Sequence, residues 1–188
     1  MKKLKCIIAV FVFVVLSIGC TKETQEDHVF DYQKGDLNVS LQEVNGEVFV
    51  FVQGDITTEF NMTSEKKWVL NGAVNVVGKE GHLIIQAGTE VFGNVSREPS
   101  YLSVKDKGRL SAIGTLEENI VFTSINKKVG VPTQQDWGGI FMDGEKPVDV
   151  SGNSHPVDSF EVYIEDDGSG SLEHVSIQYA EKTVSISD

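Results

Sequence analysis

The tightest acidic cluster in the sequence is Glu165, Asp166 and Asp167, followed at once by Gly168-Ser169-Gly170-Ser171. Gathered carboxylate and carbonyl oxygens can ligate a hard cation, so Asp166 and Asp167 are the candidate calcium ligands. The cluster lacks the fixed spacing of a calcium-binding loop, and a solvated turn is the plainer reading. Glycoside hydrolysis needs two carboxylates set across the scissile bond, and only this cluster is tight. Trp68 and Trp137 offer flat rings that could stack on a sugar. Trp137 lies between Asp136 and Gly138-Gly139, which reads first as packing at a corner. His28, His82, His155 and His174 have no partners at metal-ligand spacing. No serine sits in a nucleophile elbow. The sequence therefore nominates no catalytic residue and, calcium apart, no cofactor.

The N-terminus carries a different chemistry. Lys2, Lys3 and Lys5 precede an uncharged apolar run from Cys6 to Leu16. That run is about a dozen residues, where a membrane-spanning helix needs about 20. A basic start and a short apolar segment ending in small residues read as a secretory signal. Leu16-Ser17-Ile18-Gly19-Cys20 resembles a lipobox, with Ser17 where leucine is usual. The resemblance implies that residues 1–19 are a lipoprotein signal peptide and that Cys20 becomes the lipidated N-terminus. Cys6 leaves with the signal, so the mature chain can form no internal disulfide. Each buried acyl methylene contributes about 0.8 kcal/mol, and lipoproteins carry several chains, so the membrane anchor would be permanent.

Residues 20–36 are polar and acidic and read as a flexible tether. Lys22-Glu23 and Glu26-Asp27 resemble the acidic signal that sends some lipoproteins to the outer face of the outer membrane; a solvated linker is the alternative. The formal net charge is -12, and loss of Lys2, Lys3 and Lys5 makes the mature chain three units more acidic. This argues against nucleic acid as a partner and favours solubility.

From Leu37 to the end the pattern is strand after strand, with no convincing helix. Leu37, Val39 and Leu41 alternate with polar residues, the period of a half-buried strand. Val48 to Val52 is continuously apolar, which suggests cover on both faces. Short apolar-x-apolar units then recur at Val74, Leu83, Leu102, Leu110, Ile120, Ile140 and Val175, separated by glycine-marked turns. Leu83-Ile84-Ile85-Gln86-Ala87-Gly88 and Leu102-Ser103-Val104-Lys105-Asp106-Lys107-Gly108 share one plan and start about 20 residues apart, the scale of one solenoid coil. A β-sandwich also has short strands and turns.

Five blocks carry a family resemblance. They are Trp68–Val76, read as an opening coil; Leu83–Gly93; Leu102–Ser124; Asp136-Trp137-Gly138-Gly139-Ile140; and Ser169–Ala180. Together they resemble a family of bacterial surface and secreted lipoproteins with right-handed parallel β-helix repeats. The resemblance implies an all-β chain with a short right-handed single-stranded parallel β-helix over residues 37–188. The family continues for several coils beyond the Tyr179-Ala180 block, so a C-terminal truncation and an open solenoid end, available for self-association, are expected.

Parallel β-helices include polysaccharide lyases, which want a base beside calcium-binding acids. Arg97 and Arg109 are the two arginines and read as surface residues. The expected function is a surface-exposed binding or adhesion module without catalytic activity, held in the outer membrane and facing glycans or host or envelope proteins. A structural lipoprotein facing the periplasm and a polysaccharide-active enzyme are the alternatives.

Overall fold

The computed structural model describes residues 32–34, 36–96, 100–143, 154–155, 159–164, 168–181 and 184–187. The signal peptide, Cys20, Arg97, Asp166 and Asp167 lie outside the described residues.

The chain starts with antiparallel pairing. β1 (Tyr32–Lys34) pairs with β2 (Leu37–Val44), and β2 with β3 (Glu47–Ile56). Asn45 and Gly46 turn between β2 and β3, both at positive φ, the geometry that matches strand twist in a two-residue turn. β1 falls within the stretch expected to be tether.

From β3 onward the sheet is mostly parallel and curls into three ladders. The first joins the start of β3, the start of β5 (Lys67–Val77), β7 (Glu90–Gly93), β10 (Ile120–Ser124) and the end of β14 (Gly170–Gln178). The second joins the end of β3, the end of β5, β8 (Tyr101–Lys105), β11 (Gly139–Asp143) and β15 (Val184–Ser187). The third joins β4 (Glu59–Met62), β6 (His82–Ile85), β9 (Arg109–Ile113) and the start of β14. The chain visits the ladders in that order on every pass.

Each ladder turns one residue in two inward. Val50, Trp68, Val91, Phe122 and Ile177 stack in register in the first. Val76, Val104 and Met142 stack in the second, and Ile85, Ala112 and Leu172 in the third. All of them join one buried core. β3 bends between ladders at Gly54, where φ is +103° and a Cβ would collide with the Asp36 carbonyl; only glycine fits there.

The strand reading of the sequence holds, and its register does not. Leu83–Ile85 lies in the third ladder and Leu102–Val104 in the second, so the two segments are not equivalent positions of successive coils. Leu83 stacks on Leu110, and Leu102 on Val74. The apolar-x-apolar-glycine unit marks one strand, and three strands make a coil. Trp68 belongs to the second coil, not the opening one, because Val50 already pairs with it from the coil before.

Three further differences concern the edges. Phe49 to Val52 is covered on both faces as expected, but Val48 is exposed. A single helical turn, α1 (Asn126–Val129), interrupts the strands. β12 (Ser154–His155) and β13 (Ser159–Ile164) run antiparallel, and β13 pairs along the far edge of β14. The β14 edge of the last coil is thus paired among the described residues. Among the described residues β15 pairs only with β11.

Candidate functional site

The outer face of the third ladder assembles groups that lie far apart in the sequence. Glu59, His82 and Arg109 occupy one in-register row on β4, β6 and β9. Adjacent strands are about 4.8 Å apart, so a carboxylate, an imidazole and a guanidinium follow one another at that pitch. Alternation fixes their direction: Leu83, Ile85, Leu110 and Ala112 point into the core, and Glu59 and Arg109 are exposed with His82 half-buried. The next row is Asn61, Ile84, Ser111 and Ser171. The rows are cross-linked, with His82 Nε2 2.8 Å from Ser111 Oγ and Asn61 Nδ2 donating to Glu59 Oε1 at 3.1 Å. At the near end Glu59 borders a shallow cleft with Asp55, Thr57, Thr58 and Phe60. Such a face can donate and accept hydrogen bonds along an extended ligand and can pair with ionised groups of either sign.

Sequence reasoning placed His82 and Arg109 singly and passed over Glu59. The signal was present: each residue directly precedes the inward member of its strand unit. Reading it required the coil register.

The first ladder's outer face is closed. Phe49, Phe51, Val69, Phe92 and Ile125 form a second buried cluster there. A clasp lies over it. Glu47 pairs with Lys67, and with Lys128 at 3.6 Å, while Asn45 Nδ2 donates to the Lys128 carbonyl at 2.7 Å. The hydrogen bond from Lys67, with the charge of Lys128, holds the Glu47 carboxyl below the usual carboxylate range despite some desolvation.

The aromatic candidates are core residues. Trp137 is fully buried; its Nε1 donates to the Gln178 carbonyl at 2.9 Å, and its ring stacks on Phe122. Trp68 is buried, donates from Nε1 to the Thr63 carbonyl at 2.9 Å and meets Phe60 edge-on. Neither presents a ring face to a solute. His174 is exposed at the bend of β14, with φ at 48°. Among the described residues no three His, Cys, Asp or Glu side chains gather to hold a metal ion.

Among the described residues the buried carboxylate is Asp136, beside Trp137. Its Oδ2 accepts from Ser124 Oγ at 2.5 Å, Asn126 Nδ2 at 3.0 Å and the Thr133 N–H at 3.2 Å. Its Oδ1 accepts from Thr133 Oγ1 at 2.5 Å. Burial would raise this carboxyl, but the hydrogen bonds from Ser124, Thr133 and Asn126 outweigh it and hold the group below the usual range. The arrangement ties the excursion between β10 and β11 to the sheet. Four hydrogen bonds, three to Oδ2 and one to Oδ1, make Asp136 a structural anchor.

The family model of the pectate-lyase-like β-helix domain matches residues 54–188. The chain belongs to this family. The match starts where β3 leaves the first ladder and includes all of the third. No curated protein and no solved structure matches the chain. The β-helix family fits the ladder order, and it is compatible with a surface or polysaccharide-related protein.

Proposed function

We propose that this β-helix protein is a non-catalytic binding module of the cell envelope that takes a polysaccharide bearing ionised groups along its third-ladder flank. The row Glu59, His82 and Arg109 carries this reading. It aligns hydrogen-bonding and charged groups on a hydrogen-bonded sheet, where little backbone freedom is left to lose on binding. The winding is read as a right-handed single-stranded solenoid, the hand that parallel crossovers take. Lipid on Cys20 would hold the domain in the outer membrane, facing outward, and residues 20–31 would give it reach.

A glycan array probed with the full chain tests the reading. Binding to acidic or amino polysaccharides that weakens in His82→Ala and Arg109→Ala supports it; a blank array contradicts it. Cleavage is the second reading, favoured by the pectate-lyase-like family. New reducing ends or unsaturated products, with or without added calcium, would establish cleavage and displace the binding role.

A further inference from the structure

The excursion between β10 and β11 folds back over the outer face of the first ladder. Ile125 joins the cluster buried there with Phe49, Phe51, Val69 and Phe92. Lys128 Nζ lies 5.8 Å from the Phe92 ring centroid on the third coil and 3.6 Å from the Glu47 carboxylate on the first. The Lys128 carbonyl accepts from Asn45 in the β2–β3 turn, while Asp136 accepts from Asn126 and Thr133 at the base. The excursion is a strap fastened at both sides. Its crest, Val129-Gly130-Val131, stands in solvent, with Val129 50% and Val131 81% exposed.

The charge around the crest is unlike that of the chain. No acid occurs from Asn119 to Gln135, although the chain has 28. Lys127 is exposed, and its Nζ donates to Gln178 Oε1, a neutral acceptor, at 3.2 Å. Glu47 is shared by Lys67 and Lys128, and Glu90 stands in register beside Lys67. Lys67, Lys127 and Lys128 against Glu47 and Glu90 leave a positive excess beside two exposed valines. The strand β1 adds a direction. Tyr32 pairs with Val39 and Lys34 with Leu37, so the chain traced back from Tyr32 sets out toward Val44 and the Asn45 turn that holds the strap. Residues 20–31 are twelve, a reach of about 40 Å at full extension.

We propose that the crest of this strap seats on an anionic lipid surface, with Val129 and Val131 in the headgroup layer and Lys127 and Lys128 against the headgroups. The inference rests on the lipid anchor at Cys20. Two valines and two lysines are too few to hold a free protein on a bilayer. A tether makes the contact intramolecular, at an effective concentration that weak contacts can use. Apolar side chains between lysines suit the interface, because a lysine stem packs on apolar neighbours while its charge stays with the headgroups. The chain charge of -12 turns the other faces away from anionic lipid, which selects one orientation. The row Glu59, His82 and Arg109 lies on a different ladder and stays open to a polysaccharide.

The test uses the full lipidated chain reconstituted on phosphatidylcholine vesicles with or without phosphatidylglycerol, all carrying brominated acyl chains. Val131→Cys takes a fluorescent thiol label, and Glu80→Cys, at the exposed turn between β5 and β6, takes the same label as a control. Flotation reports the anchor and quenching reports the seating, so the two can fail separately. The labelled chain is expected to float with the vesicles. The label at 131 should be quenched on phosphatidylglycerol vesicles and the label at 80 should not. Lys127→Ala should lower the ratio of seated to unseated chain about fivefold, the worth of one lysine near an anionic surface, at an unchanged melting temperature. Flotation with equal quenching at 131 and 80, quenching indifferent to phosphatidylglycerol, or no effect of Lys127→Ala would each overturn the seating and leave the anchor standing. A chain that does not float would overturn the anchor and the seating with it.

Discussion

Trp137 lies nearly parallel to Phe122, with ring centroids 6.1 Å apart and planes 13° from each other. The pair joins the start of the second ladder to the core row of the first. Gly93 completes the contact, because a Cβ there would collide with the Trp137 ring. Gly93→Ala should therefore destabilise the fold by about 1–3 kcal/mol, the range for overpacking. Trp137→Ala should cost about 3–5 kcal/mol. Urea denaturation followed by circular dichroism measures both, and a neutral Gly93→Ala would contradict the packing described.

Asp136 gives a pH-dependent prediction. Its folded-state carboxyl titrates below the ordinary value of about 3.9, so its contribution is fully present above that value. It is lost as pH falls through the folded value. Asp136→Asn should destabilise the protein by about 2 kcal/mol at pH 7. The gap between wild type and variant should close below about pH 4. Urea midpoints at both ends of that range check the sign; a gap that widens in acid would refute it.

Leu110 sits where the third ladder stacks Phe60, Leu83 and Leu110 and is fully buried. Leu110→Ala should cost about 2–5 kcal/mol. The same exchange at exposed Leu116 should change stability by less than about 0.5 kcal/mol. Equal effects at the two sites would be incompatible with a core enclosed by three ladders.

The N-terminal expectation is tested in cells. Cys20→Ala should abolish labelling of the chain by a fatty-acid probe and release it from the membrane fraction. Normal labelling of that variant would remove the lipobox from the account.

The alternation at Val74, Leu83, Leu102 and Leu110 was legible because a strand buries one residue in two whatever its partners are. Register was not, because the coils differ in length. The excursion that carries α1 and Asp136 separates Phe122 from Ile140, and a longer one separates Met142 from Leu172. Fixed spacing therefore paired Leu83 with Leu102 across different ladders. The polar row suffered most from this. Glu59, His82 and Arg109 look unrelated until their strands are aligned. The burial of Trp137 was expected from its place between Asp136 and two glycines, whereas the clasp from Glu47 to Lys128 joins segments too distant for any local pattern.

Retardation of the full chain in gels containing an ionised polysaccharide tests the central claim most directly, comparing wild type with the His82→Ala, Arg109→Ala double variant. The account predicts that wild type is retarded, that the double variant migrates freely at an unchanged melting temperature, and that the polysaccharide is not shortened. Equal retardation of both proteins, or release of new reducing ends, would contradict it.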